Sequence, residues 1–287
     1  MNAFTAKTKT LLTLVGLLAL SSTAVGAIAC APVPRPDSGS VPEETAIPNP
    51  TPEPIELEAV LTPEVSDRIL LAVAADVDRP VSTLRIAASE PATWDGCMGI
   101  YEPDQACTMI AIFGLRVVVT DGDQSWVYHT RQDGQELVQN PTASGSRNGL
   151  IPDFIPQVQP NPEAEPETEP EAHVFRAVES GGLAGRQLET VLLADGRLLQ
   201  RENGTVVSEQ RVTPAQLAAF QQVLEDQRFP NLNRMRYVTD AAFADYPTVQ
   251  LSAMYHQTEY IDLALDDIPP ALQAVIQAWE ELMAQAQ

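Results

Sequence analysis

The chain has 287 residues, with 39 Asp and Glu against 17 Lys and Arg, for a formal net charge of −22. So acidic a surface offers no basic footprint for phosphate backbones and no charge attraction to anionic bilayers, which excludes nucleic-acid binding and electrostatic adhesion to membranes. Eight of the 24 prolines fall in residues 31–54 and seven in residues 141–172, so these stretches read as linkers and leave two segments, 55–140 and 173–287, each long enough for a small core.

At the amino terminus, Lys7 and Lys9 precede a ten-residue apolar run over residues 11–20, and Ala27-Ile28-Ala29 supplies a small-residue exit. This is the pattern of an export signal over residues 1–29. Cys30 follows directly, and the arrangement resembles a bacterial lipobox, with Ala27 standing where the usual lipobox carries Leu. The resemblance implies that the Cys30 thiol is lipidated and that the protein sits in the cell envelope, lipid-anchored on the extracytoplasmic side. Ordinary cleavage ahead of Cys30 and retention of the leader as an anchor are the competing readings, the latter short for a membrane span. Beyond the leader the chain holds 15 Arg, no Lys and 39 acids, a formal net of −24. Residues 30–54 form a disordered Pro-rich tether, which at about 3.1 Å per residue reaches on the order of 70 Å.

The first folded segment, 55–140, opens with a helix. Thr62 suits the N-cap, Pro63 the first helical position, and Val65, Ile69, Leu70, Val73 and Val77 recur at helical spacing until Pro80. Residues 84–88 alternate as a strand, and 108–120 is a long apolar, β-branched run. Asp121-Gly122 and Asp133-Gly134 mark turns on either side of a strand at 126–129, with another at 136–138. Cys97 and Cys107 remain as one pair in an oxidising compartment, and their spacing suits a structural disulfide across a tight loop. A Cys-x-x-Cys redox pair needs closer spacing, and a zinc site needs more ligands than these two. The stretch Trp94-Asp95-Gly96-Cys97-Met98-Gly99, with Cys107 and Trp126-Val127-Tyr128-His129-Thr130, resembles an unnamed extracytoplasmic module of bacterial secreted proteins. That likeness implies a fold and no chemistry.

Residues 141–172, with alternating Pro and Glu from 156 onward, read as a disordered acidic spacer. In the second segment, 173–287, strands at 174–178, 189–193, 198–202 and 206–211 are separated by Gly181-Gly182, Asp195-Gly196 and Asn203-Gly204. Thr213, Pro214 and Gln216 form a capping-box start to a helix with Leu217, Phe220, Val223 and Leu224 on one face. A hairpin at 248–255 and 259–265 precedes a last helix, capped by Asp267, whose stripe of Leu272, Val275, Ile276, Trp279, Leu282 and Met283 must face a sheet. The fold class is therefore α+β: two small domains, each an antiparallel sheet packed by one or two helices, joined by a disordered acidic linker.

Catalytic patterns are lacking. His129, His173 and His256 show no metal-ligand spacing and read as surface or sheet-edge residues, so neither a metal nor another cofactor is expected. Dense carboxylates produce pairs by chance, and nothing singles out an acid/base pair.

One segment carries a family likeness. Ser180-Gly181-Gly182-Leu183-Ala184-Gly185 follows the first strand of the second segment, then come the Asp195-Gly196 hairpin, the helix from Pro214, the approach from Asp240 through Phe243 to Tyr246, and the closing Pro269-Pro270-Ala271-Leu272 helix. This order over residues 173–287 resembles the emfourin family, small inhibitors of thermolysin-like metallopeptidases, although Leu183 stands where that family has an aromatic residue. The resemblance implies a partner-binding loop of Ser180, Gly181, Gly182, Leu183 and Gly185, and a metallopeptidase as partner. The expectation from sequence is a noncatalytic envelope lipoprotein working through protein–protein contacts, with a ligand-binding or scaffold lipoprotein as the alternative.

Overall fold

The computed structural model describes residues 61–157, 173–181, 185–239 and 246–287. Cys30, the leader, the tether and residues 158–172 of the expected spacer lie outside them.

Helix α1 spans Pro63–Val77, with the Thr62 hydroxyl accepting the Val65 N–H as the sequence predicts. It stops before Pro80 because Asp78 turns left-handed (φ 53°) and its N–H closes on Ala74 O. Four strands follow in a simple antiparallel order: β1 (Arg85–Trp94), β2 (Ile112–Thr120), β3 (Ser125–Arg131) and β4 (Val138–Asn140). Strand β1 runs past the expected residues 84–88 and through Pro91, which an edge strand tolerates because its outward N–H has no ladder partner to lose.

The second sheet has eight strands: β5 (Asp153–Phe154), β6 (His173–Gly181), β7 (Arg186–Leu193), β8 (Arg197–Glu202), β9 (Thr205–Arg211), β10 (Met235–Tyr237), β11 (Thr248–Ala253) and β12 (His256–Ile261). Their order is β5-β10-β12-β11-β6-β7-β8-β9, antiparallel except where β10 runs parallel to β12. Helix α2 (Pro214–Asp226) starts on the predicted capping box of Thr213 and Gln216, and α3 (Pro270–Gln285) closes the fold. Both helices pack on one sheet face, where Phe175 meets Phe220 edge-on at 5.1 Å and Trp279 at 4.8 Å. The architecture is α+β, two sheets with three α-helices among the described residues. None of these helices is long and apolar enough to cross a membrane.

Two expectations require correction. Asp267 does not cap α3: Pro269 occupies the N-cap with no side-chain bond. The Asp267 carboxylate instead accepts the Asn148 amide N–H at 2.6 Å, and its backbone carbonyl accepts the Arg147 N–H. The folded segments also do not stand apart as two domains joined by a spacer over 141–172. Residues 141–157 are built into the fold, with β5 as an edge of the second sheet, and one compact unit runs from Ile55 to Gln287.

The physical reason lies in β2 and β3. Leu115, Val117, Val119 and Tyr128 pack under α1, whereas Val118 and Val127, on the opposite face, join the large core that includes Phe175, Leu251 and Leu272. Burying each of these two valines contributes about 1.5–3 kcal/mol, a gain open only if the second sheet's lobe covers that face.

Candidate functional site

A cavity of about 430 Å³ lies where the disulfide-closed loop 95–107, strands β2 and β3, and the 3-10 turn Phe229–Leu232 meet. Its volume is that of a small-molecule or side-chain pocket. Trp94, at the end of β1, forms one wall, and its indole N–H donates to Thr130 O at 3.1 Å. The ring reaches across Gly114, where a Cβ would sit 2.0 Å from Thr130 O and 2.4 Å from the Trp94 nitrogen. Only glycine permits that approach.

His129 stacks on Trp94, with centroids 4.1 Å apart and planes 5° from parallel, and is 2 % exposed. The surface or sheet-edge reading of this histidine is therefore corrected. Its Nδ1 lies 2.7 Å from the Met98 carbonyl oxygen. A carbonyl only accepts, so Nδ1 carries the hydrogen and Nε2 presents a bare lone pair. That Nε2 is buried with no hydrogen-bond partner among the described residues. Burial pushes the imidazole pKa down to about 4, and the nearby Arg116 charge acts in the same sense against the Met98 bond. The ring is neutral at pH 7 and is a fixed hydrogen-bond acceptor.

The far wall is an amide. The Asn231 side chain accepts the Tyr101 N–H at 2.6 Å and donates to Tyr101 O at 2.9 Å, while Arg228 pairs with Glu102 at 2.6 Å. Beneath, the buried Arg116 guanidinium donates to Glu90 and to Asn233 O, and Arg234 donates to the other Glu90 oxygen at 2.8 Å. Because Arg116 is committed to Glu90, the cavity holds no free cation from it for an anionic ligand. His256 also lines the cavity, its Nδ1 unpartnered among the described residues and its pKa lowered by burial.

The cavity lining extends to Met254 in the β11–β12 hairpin. Ala253 and His256 close the ladder, so Met254 and Tyr255 are a two-residue loop, with φ of 49° and 70°. Two left-handed residues make a type I′ turn, whose natural occupants are Asn-Gly. Methionine and tyrosine there cost roughly 1–2 kcal/mol each. Tyr255 is nonetheless fully exposed and Met254 about half exposed.

The expected disulfide is present: Cys97 and Cys107 are joined. Of the expected partner loop, Ser180 and Gly181 end β6 and Gly185 precedes β7, whereas Gly182 and Leu183 lie outside the described residues. Strand β11 pairs Thr248 with Ser180 and Ser252 with Arg176, so Ser180 sits at the opposite end of β11 from Met254 and the cavity. Sequence reasoning missed the cavity itself. Its one local signal is the Trp94–Gly99 segment, dense in turn residues, and nothing in it points to Asn231, 130 residues away from Tyr101.

A family model described as a domain of unknown function (DUF8738) matches residues 67–138, from within α1 to the start of β4. No curated protein and no solved structure matches the chain.

Proposed function

We propose that this protein is a noncatalytic envelope lipoprotein, anchored through Cys30, that works by contact with a partner protein at the intersheet cavity. The observation that carries this reading is the exposed Met254-Tyr255 tip, held in a turn that disfavours both residues, beside a pocket with a fixed acceptor at His129. Backbone strain of this kind clusters at functional sites. A partner would insert an apolar side chain or segment into the cavity beside the tip. The test is a photo-crosslinking residue at position 256 in native membranes, with the tip intact or replaced by Asn-Gly. The wild-type tip should give a discrete adduct that the Asn-Gly tip loses while gaining stability. Identical adducts from both would refute the reading.

A second reading, metallopeptidase inhibition by residues 180–185, is favoured by one observation. Gly181 (φ 112°) and Gly185 (φ 57°) are both exposed at this hairpin end, and a Cβ added at Gly185 would meet nothing within 4 Å among the described residues. Such an end could enter a protease cleft without side-chain bulk. Titrating the whole protein against a thermolysin-like enzyme tests it, and undiminished peptide cleavage at micromolar protein would exclude that role for the enzyme used.

A further inference from the structure

We propose that Asp95, Cys97 and Cys107 form a divalent-metal site of the zinc class, masked while the disulfide is intact and exposed when a dithiol reduces it. One carboxylate oxygen and the two sulfurs lie within 4.8 Å of one another, and all three residues are half-buried. Zinc holds thiolates at about 2.3 Å and carboxylates at about 2.0–2.2 Å in a tetrahedron, which sets its ligand atoms roughly 3.5–4 Å apart. Separation of the two sulfurs is the one large adjustment that such a site requires.

Hydrogen bonds hold the loop in addition to the disulfide. Gly96 N–H donates to Thr108 O at 2.9 Å, which ties the two cysteine-bearing segments together one residue from each cysteine. Asp95 Oδ1 accepts the N–H groups of Cys97 and Gly99, both at 3.0 Å. Met98 O is held by His129, and Tyr101 by both ends of the Asn231 amide. These bonds survive reduction, so the freed thiols stay opposed. The two N–H groups also orient the Asp95 carboxylate, as outer-shell donors do for metal-binding carboxylates.

The chemistry balances without a further reactant. The dithiol joins its own two sulfurs, the Cys97–Cys107 bond breaks, and each cysteine sulfur takes one of the two protons released. Zinc then displaces both protons and is held by two thiolates and one carboxylate. Asp95 and Cys107 line the cavity, so the fourth position opens onto it and is left to water. This site stands independently of the partner-contact reading above.

The experiment is a cobalt(II) titration of the whole protein, oxidised and reduced. The reductant is a phosphine, which becomes its oxide with oxygen from water and leaves no competing thiol. The reduced protein should bind one cobalt ion, with thiolate-to-metal charge transfer in the near ultraviolet and tetrahedral bands in the visible, displaced by one equivalent of zinc. The oxidised protein should show neither. Asp95→Asn keeps an oxygen for both N–H groups but loses the anionic ligand, and should bind at least about tenfold more weakly, a loss of about 1.4 kcal/mol. Absence of charge transfer in the reduced protein, or equal affinity in the Asp95→Asn variant, would overturn the proposal. So would collapse of the near-ultraviolet dichroism of Trp94 on reduction, since the loop would then owe its shape to the disulfide.

Discussion

Asn231 holds Tyr101 as a neighbouring strand would, donating to its carbonyl at 2.9 Å and accepting its N–H at 2.6 Å, although 130 residues separate them. The amide is 3 % exposed, so each bond it makes replaces water that cannot return. Asn231→Ala strands the Tyr101 backbone groups, and a cost of about 2–4 kcal/mol is expected from two lost bonds at a part-buried site. Urea midpoints measure it. Faster hydrogen exchange at the Tyr101 amide, with the strands of the first sheet unchanged, would place the damage at this wall.

Glu90 pairs with two arginines at once, and Arg116 is 7 % exposed. Removing the carboxylate leaves a buried cation, so Glu90→Leu should destabilise the fold by about 3–5 kcal/mol. Adding Arg116→Met to that variant should recover a large share of the loss, because the uncompensated charge goes with it. A double-mutant cycle in guanidinium checks the coupling.

His129 should make stability fall with acid. Its folded pKa of about 4 lies below the ordinary 6.5, so between those values the unfolded chain binds a proton that the folded chain refuses. The contribution is complete above pH 6.5 and is lost progressively down to pH 4, with a limit on the order of 3 kcal/mol. His129→Asn retains a donor for Met98 O and removes the titration. Its unfolding free energy should therefore drop less between pH 7 and pH 4.5 than that of the wild type, and parallel curves would contradict the assignment.

Gly114→Ala places a methyl against Thr130 O and the Trp94 indole. The backbone oxygen cannot yield as a side chain could, so a loss of about 1–3 kcal/mol is expected from overpacking. The indole must also leave Thr130, which should appear as a changed near-ultraviolet dichroism with the second sheet's far-ultraviolet signal preserved.

Much of the secondary structure was legible. The Thr62-Pro63 start, the Thr213–Gln216 capping box and the Asp-Gly and Asn-Gly turns each act through bonds within a few residues, and each appears where expected. Pro density over residues 141–172 marks a linker by composition, yet residues 141–157 are built into the fold. Residues 115–120 do not alternate, and an unbroken buried run signals a strand covered on both faces. Strands β5 and β10, of two and three residues, are too short to show any period. The cavity was illegible for a different reason: its walls come from residues 94–107, 116–129 and 230–256, and only the folded chain brings Trp94, His129 and Asn231 together.

The double cover over β2 bears on any transplant of the matched segment. Residues 67–138 carry α1 and the sheet, but the lid over Val118 and Val127 comes from later in the chain. A graft of that stretch alone would leave a wet, sticky flank. Whatever host receives it must bring its own roof, and the nature of that roof, rather than the grafted piece, would decide what sort of hollow forms beneath Trp94.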